Sequence, residues 1–178
     1  MIKRNLIKLN KDFLTGDIKN KEINMSRIRG FEVVDKDHLK TFKNQKDVII
    51  PLKGSKNSAG YDFFASEDFK IEPNEYYFFW TDIKSYMLDD EVLKIYPRAS
   101  SMKKNIRLKN TVGIVDSDYY NNIKNNGNIG VSLHNFGKET MHFKKGEGLV
   151  QGIFEKYLES DNCNTEEERK GGIGSTNK

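Results

Sequence analysis

The chain is short of the residues that build stapled, metal-bound or membrane-spanning proteins. Its one cysteine, Cys163, has no partner for an internal disulfide or a zinc ribbon. Its three histidines (His38, His134 and His142) match no His-Glu-x-x-His or clustered ligand spacing, which argues against a protein-ligated zinc. No apolar run approaches the roughly 18 residues needed to cross a bilayer. The basic N-terminus lacks the continuous apolar core and small-residue cleavage site of a secretory leader. These absences point to a cytoplasmic protein without a membrane partner.

What is present is 178 residues, 36% hydrophobic and 31% charged, enough for one domain with some extra length. The net charge of +4 is uneven, because residues 1–24 carry six cations against three acids. The basic balance is mostly a property of this leader, so nucleic acid is not an expected partner of the rest. Ile2, Leu6, Leu9 and Phe13 recur at helical spacing. Isolated short helices are marginal, so residues 1–24 read as an N-terminal extension, either disordered or a short helix. Met25 offers an alternative start for the functional polypeptide.

Beyond Phe31 the pattern is mainly β. Strands are expected at Phe31–Val34, Val48–Leu52, Ser58–Phe64, Tyr76–Trp80, Met141–Phe143 and Leu149–Phe154. Another runs from Leu88 towards Pro97, which stops a regular ladder. Short helical pieces are expected at Asp37–Phe42 and Met102–Arg107. Many short strands separated by Gly, Asn and Pro predict an all-β fold, a sandwich or jelly roll, over residues 25–158. Residues 159–168 are polar and acidic and lead into the Gly-rich Arg169–Thr176, so 159–178 reads as a flexible C-terminal arm. Such an arm either frays or folds over an anion with its backbone N–H groups, hydroxyls and cations.

The most informative stretch is Asn110–Tyr120. Val112, Ile114 and Val115 favour an extended, half-buried backbone. Gly113 leaves room for another group to approach the chain. Asp116 sits where the strand becomes a turn, a good position for a general base. The plainer alternative is a strand followed by an Asp-Ser-Asp turn. A polar Asn/Gly turn at 121–128 and a returning strand at Ile129–Leu133 make 110–133 a predicted hairpin.

Five segments occur in one order: Ala59-Gly60-Tyr61-Asp62, Pro97–Ser101, Asn110–Tyr119, Gly146–Gln151 and Arg169–Thr176. Together they resemble the five-motif signature of the trimeric dUTP pyrophosphatases (dUTPases) over roughly residues 45–177. The long turn after Tyr119 resembles bacterial and phage members. The resemblance implies a jelly-roll subunit and a homotrimer with active sites shared between subunits. It implies hydrolysis of dUTP to dUMP and pyrophosphate with Mg²⁺.

Residue by residue, the resemblance makes Asp116 the base that activates water at the α-phosphorus. Asn110, Gly113, Ile114 and Gly130 would read uracil, and Tyr119 would stack under the deoxyribose. Arg98, Ser100, Ser101 and Gln151 would hold the phosphates. Arg98 is equally suited to a structural carboxylate. Arg169 would hold the γ-phosphate as the arm, with Gly172, Ser175 and Thr176, closes over the nucleotide. Asp62 would reach Mg²⁺ through a water, as that ion keeps several.

Three positions depart from the family pattern. Ala99 stands where Ser is usual, in a motif one residue short; Gly148 where Arg is common; and Ile173 where an aromatic usually stacks. Two alternatives remain: a dCTP deaminase of the same fold, which needs a catalytic Glu near the hairpin, and a non-catalytic nucleotide-binding regulatory module.

Overall fold

A computed structural model describes residues 27–162 and Gly171. The extension at 1–24 and all of the arm beyond 162 except Gly171 lie outside the described residues. The chain forms β1 (Gly30–Val33), β2 (Leu52–Lys53), β3 (Tyr61–Phe64), β4 (Phe69–Ile71), β5 (Tyr76–Trp80) and β6 (Ile83–Tyr86). It continues with β7 (Glu91–Pro97), β8 (Ile106–Leu108), β9 (Gly113–Asp116), β10 (Gly130–Asn135), β11 (Met141–Phe143) and β12 (Gly148–Lys156). Among the described residues the only helices are short 3-10 turns, and none is long and apolar enough to cross a membrane.

A five-stranded antiparallel sheet has the order β2-β3-β12-β7-β9, and a three-stranded one the order β5-β10-β8. Two-stranded ladders, β1-β6 and β4-β11, complete the sandwich. Inward side chains of the larger sheet, such as Phe63, Leu93, Ile95, Val115 and Val150, join Phe79, Ile106, Leu108, Val131 and Leu133 in one core. Each fully buried aliphatic there contributes about 1.5–3 kcal/mol. The sequence expectation of an all-β sandwich holds.

Several local expectations do not. Val48 is buried, but Val48–Ile50 join no ladder; Val48 N–H closes a 3-10 turn onto Gln45, and pairing starts only at Leu52. The helix expected at Asp37–Phe42 shrinks to a 3-10 turn at Lys36–His38. Its later N–H groups go elsewhere: those of Lys40, Thr41 and Phe42 all donate, at 2.8 Å, to the fully buried Asp82 carboxylate. The helical turn expected at Met102–Arg107 lies at Ala99–Lys104 and ends at Asn105, whose φ is +51°.

The largest difference concerns 110–133. Its two arms do not pair. β9 pairs with β7, while β10 pairs with β5 and β8. Gly113 permits the first pairing, since a Cβ there would lie 3.0 Å from the Cβ of Ile95. The predicted hairpin is therefore a fork with one arm in each sheet.

Candidate active site

The mouth of that fork is a cavity of about 520 Å³. Asn110, Gly113, Ile114, Tyr119 and Gly130 all line it, together with Phe78, Lys109 and Ser132, which the sequence reading did not single out. Its deeper wall is aliphatic. At the fork's apex Lys109 N–H donates to the Ser132 carbonyl (2.9 Å), and Thr111 is held at φ +67°. A β-branched residue in that region stores roughly 1–3 kcal/mol of strain, a feature that concentrates at functional sites. Tyr119 is buried; its hydroxyl donates to the Asn128 carbonyl (2.8 Å) and accepts from the Asn125 amide (2.6 Å).

Asp116 ends β9 opposite Val92 and is half-buried. Strand alternation puts it on the same face as the exposed Ile114, with Val115 turned into the core. Tyr157, just past β12, is a neighbour the sequence reading missed. Burial raises its phenol above the ordinary tyrosine value, and the negative charges of Glu159, Asp116 and Asp118 add to the shift. Its hydroxyl donates to the Asp89 carbonyl at 2.7 Å. The ladder places it there: β12 runs beside β7, which runs beside β9.

A second, polar cleft of about 290 Å³ is lined by Gly60, Asp62, Arg98, Ala99, Ser100 and Gln151, with Gly54 and Ser58 at its rim. Arg98 spreads its fork over Asp62, with Nε 3.0 Å from Oδ1 and Nη2 2.9 Å from Oδ2. Its Nη1 donates to the Gly148 carbonyl at 2.9 Å. A Cβ on Gly148 would lie 2.5 Å from Nη1, so a glycine stands there because the Arg98 guanidinium lies over the backbone.

Gln151 donates to the Pro97 carbonyl (3.1 Å) and crowds Gly60, which leaves no room for a side chain there. Ser100 is exposed at the cleft beside Ala99. Ser101 is buried and does not line the cleft; its N–H closes the 3-10 turn onto the Arg98 carbonyl (2.9 Å). Glu147 borders this region and is paired with Lys104. Burial pushes its carboxyl up, but the Lys104 ammonium and the Lys144 N–H outweigh burial and hold it below the ordinary range.

No three His, Cys, Asp or Glu side chains converge as a metal cage among the described residues. Both Asp62 oxygens accept from Arg98, which fits a metal carried in by a ligand and touched through water, not one gripped by protein. Arg169, Gly172, Ser175 and Thr176 lie outside the described residues.

The cavity and the cleft share no lining residue. Along β7, Asp116 lies beside Val92 while Arg98 follows Pro97 at the other end. Six residues of strand at about 3.3 Å each separate the backbone at Val92 from that at Arg98 by roughly 20 Å in one subunit.

Comparison with known proteins points to one family. The dUTPase family model matches residues 46–177. A deoxyuridine 5'-triphosphate nucleotidohydrolase of Lactococcus lactis is 42% identical over 153 residues, covering 84% of this chain and 98% of the relative. The crystal structure of a Streptococcus mutans dUTPase superposes with a TM-score of 0.63 at 34% identity, over 75% of this chain and 99% of that one. A mutant dUTPase from phage phi11 of S. aureus, with a coordinated structural Mg(II) ion, matches in fold with a TM-score of 0.58 at 18% identity, over 78% of this chain and 97% of that one. With the family match spanning most of the described sandwich and both pockets, the chain belongs to the dUTPase family.

Proposed function

We propose that this protein hydrolyses dUTP to dUMP and pyrophosphate at sites assembled between the subunits of a homotrimer. The observation that carries the reading is one cavity gathering Asn110, Gly113, Ile114, Tyr119 and Gly130 on the strand and return arm that flank Asp116. Shared sites are supported by the roughly 20 Å of strand backbone between the positions of Asp116 and Arg98 in one subunit and by the separate pockets that their neighbours line.

Uracil enters between β9 and β10, where backbone groups of the two arms meet the base edge and the Asn110 amide adds a donor. The fit leaves no space for a 5-methyl group, and cytosine presents the wrong donor pattern. Committed polar groups reject such analogues strongly. Tyr119 lies under the deoxyribose. Asp116 accepts a proton from a water whose oxygen bonds to the α-phosphorus. The bond from that phosphorus to the α–β bridging oxygen breaks, and the electron pair leaves with pyrophosphate. General-base assistance of this kind contributes about 10²–10⁴-fold.

Asp62 of another subunit would hold a water of Mg²⁺ carried in on the triphosphate, and that ion would supply charge neutralisation. Arg98 orients Asp62, Ser100 and Gln151 border the phosphate path, and Ser101 braces the turn that presents them. Arg169, Gly172, Ser175 and Thr176 close the arm over the nucleotide.

A deaminase would need a glutamate at the base, and none lines the cavity among the described residues. A pyrophosphate-release assay with dUTP, dTTP, dCTP and UTP tests the reading. Release is expected from dUTP alone and falls about 10³-fold in Asp116→Asn. Persistent release in that variant sinks the mechanism, and ammonia from dCTP points to the deaminase. Lack of pyrophosphate release with retained dUTP binding points to the regulatory module.

A further inference from the structure

The polar turn after Tyr120 is a folded unit with a buried cation at its base. Lys84, on β6, is only 5% exposed. Its ammonium donates to Asn121 Oδ1 (2.7 Å), Asn126 Oδ1 (2.9 Å) and Asp35 Oδ1 (3.0 Å). Three acceptors satisfy its three protons, so the charge is buried without being orphaned. Asn126 Oδ1 also accepts from Asp35 N–H at 2.8 Å, and its amide donates to Asp35 Oδ2 at 3.0 Å. Asn121, Asn126 and Gly127 all have positive φ, so the turn has one backbone shape that this cage selects.

The opposite side of the same turn grips Tyr119. The Asn125 amide and the Asn128 carbonyl hold its hydroxyl at 2.6 and 2.8 Å, and the Asn122 amide holds its backbone carbonyl at 2.8 Å. Asn128 is fully buried and is fixed by reciprocal bonds with Asp82: Asp82 N–H to Asn128 Oδ1 at 3.0 Å, and Asn128 Nδ2 to Asp82 Oδ1 at 2.9 Å. A Cβ on Gly127 would lie 2.9 Å from the Tyr119 carbonyl oxygen, so the turn is pressed against the residue it holds. These two bonds to the hydroxyl come from this segment, and the ring they hold lines the cavity.

We propose that residues 121–128 are a positioning element for Tyr119 and, through the face of that ring, a determinant of selectivity for deoxyribose over ribose. This rests on the assignment of the cavity to the nucleoside under Proposed function. Asn125 is the positioning residue that links turn to ring, and Lys84 locks the turn. A ring fixed by two bonds to its hydroxyl cannot yield to a 2'-hydroxyl, whereas a ring held only by packing can tilt.

The test measures calorimetric binding of dUDP and UDP to the full-length protein, with thermal melting to verify folding. Asn125→Ala is expected to lower the dUDP-over-UDP preference by about tenfold. In a Tyr119→Phe background, where no hydroxyl remains to be held, Asn125→Ala is expected to change the preference no further. Asn125→Asp, which keeps the acceptor for the Gly127 N–H and the Asn122 amide but loses the donor to the hydroxyl, shifts the preference the same way and serves if Asn125→Ala fails to fold. An unchanged preference in the folded variants overturns the proposal. An equal loss in both backgrounds also overturns it, because the turn would then act through general stability. Failure of dUTP turnover with the dUDP preference intact overturns the hydrolytic reading alone.

Discussion

The cavity between β9 and β10 and the cleft over Arg98 both depend on glycines, yet they use them for opposite ends. In the cavity, Gly113 lets two strands close on each other so that their neighbours stay apart and leave a hole. In the cleft, Gly148 and Gly60 make room for the chain's own Arg98 and Gln151, which fill the space and bond to the backbone around it. One region is preformed and, Lys109 apart, lined by uncharged residues. The other is charged but internally neutralised, since Arg98 spends its fork on Asp62. Under the proposed function a base would find its partners waiting, whereas a triphosphate would find a cation already paired and would depend on further positive charge brought to the site.

The strongest way to break this contrast is Arg98→Leu. It removes the fork and strips Asp62 of that partner. Because Arg98 is about a third exposed, the expected cost is moderate, about 1–3 kcal/mol in denaturant unfolding. Adding Asp62→Asn should recover much of that loss, while dUDP binding in the cavity stays near that of the parent. Gly148→Ala is a gentler probe of the same cleft. Its methyl must displace the guanidinium, at about 1–2 kcal/mol, with pyrophosphate release reduced more than nucleotide affinity.

Gly113→Ala reverses the pattern. Crowding Ile95 costs about 1 kcal/mol and should weaken nucleotide binding, read as a raised KM for dUTP with kcat little changed. The smallest effect concerns acid. The Glu147 carboxyl is held below the ordinary value of about 4.3, so its pairing with Lys104 contributes fully above that pH and is lost as pH falls through the lower folded value. Exchange of the Ala65 amide, which donates to the Glu147 carbonyl, should accelerate there before amides lining the cavity do.

These contrasts were partly legible in the sequence. The five segments carry their chemistry in residue type and spacing, so Asn110, Gly113, Ile114, Tyr119 and Gly130 could be grouped before any fold was known. Pairing partners could not. Nothing local in Asn110–Leu133 says that β9 will choose β7, well upstream, over the arm that follows it. The Arg98–Asp62 pair spans 36 positions, and the sequence left Arg98 open between phosphate and carboxylate.

Lys84 escaped notice because a lysine on a short strand reads as a solvent-facing residue, whereas β6 is buried along Ile83, Lys84 and Ser85. The turn at 121–128 reads as a polar Asn/Gly turn, with no sign of what its amides hold. Its signal was the recurrence of asparagine at 121, 122, 125, 126 and 128, whose amides both donate and accept and so can satisfy each other.

The guanidinium lying over Gly148 also constrains the history open to this chain. A side chain introduced at 148 meets Arg98 with its first atom, so the guanidinium must swing aside before it is accommodated. Loss of Arg98 instead strips the Asp62 carboxylate of that partner. The two positions are therefore coupled: what a side chain at 148 costs depends on where Arg98 can go. A glycine that looks like a missing part in the sequence is, in three dimensions, the floor on which a guanidinium rests.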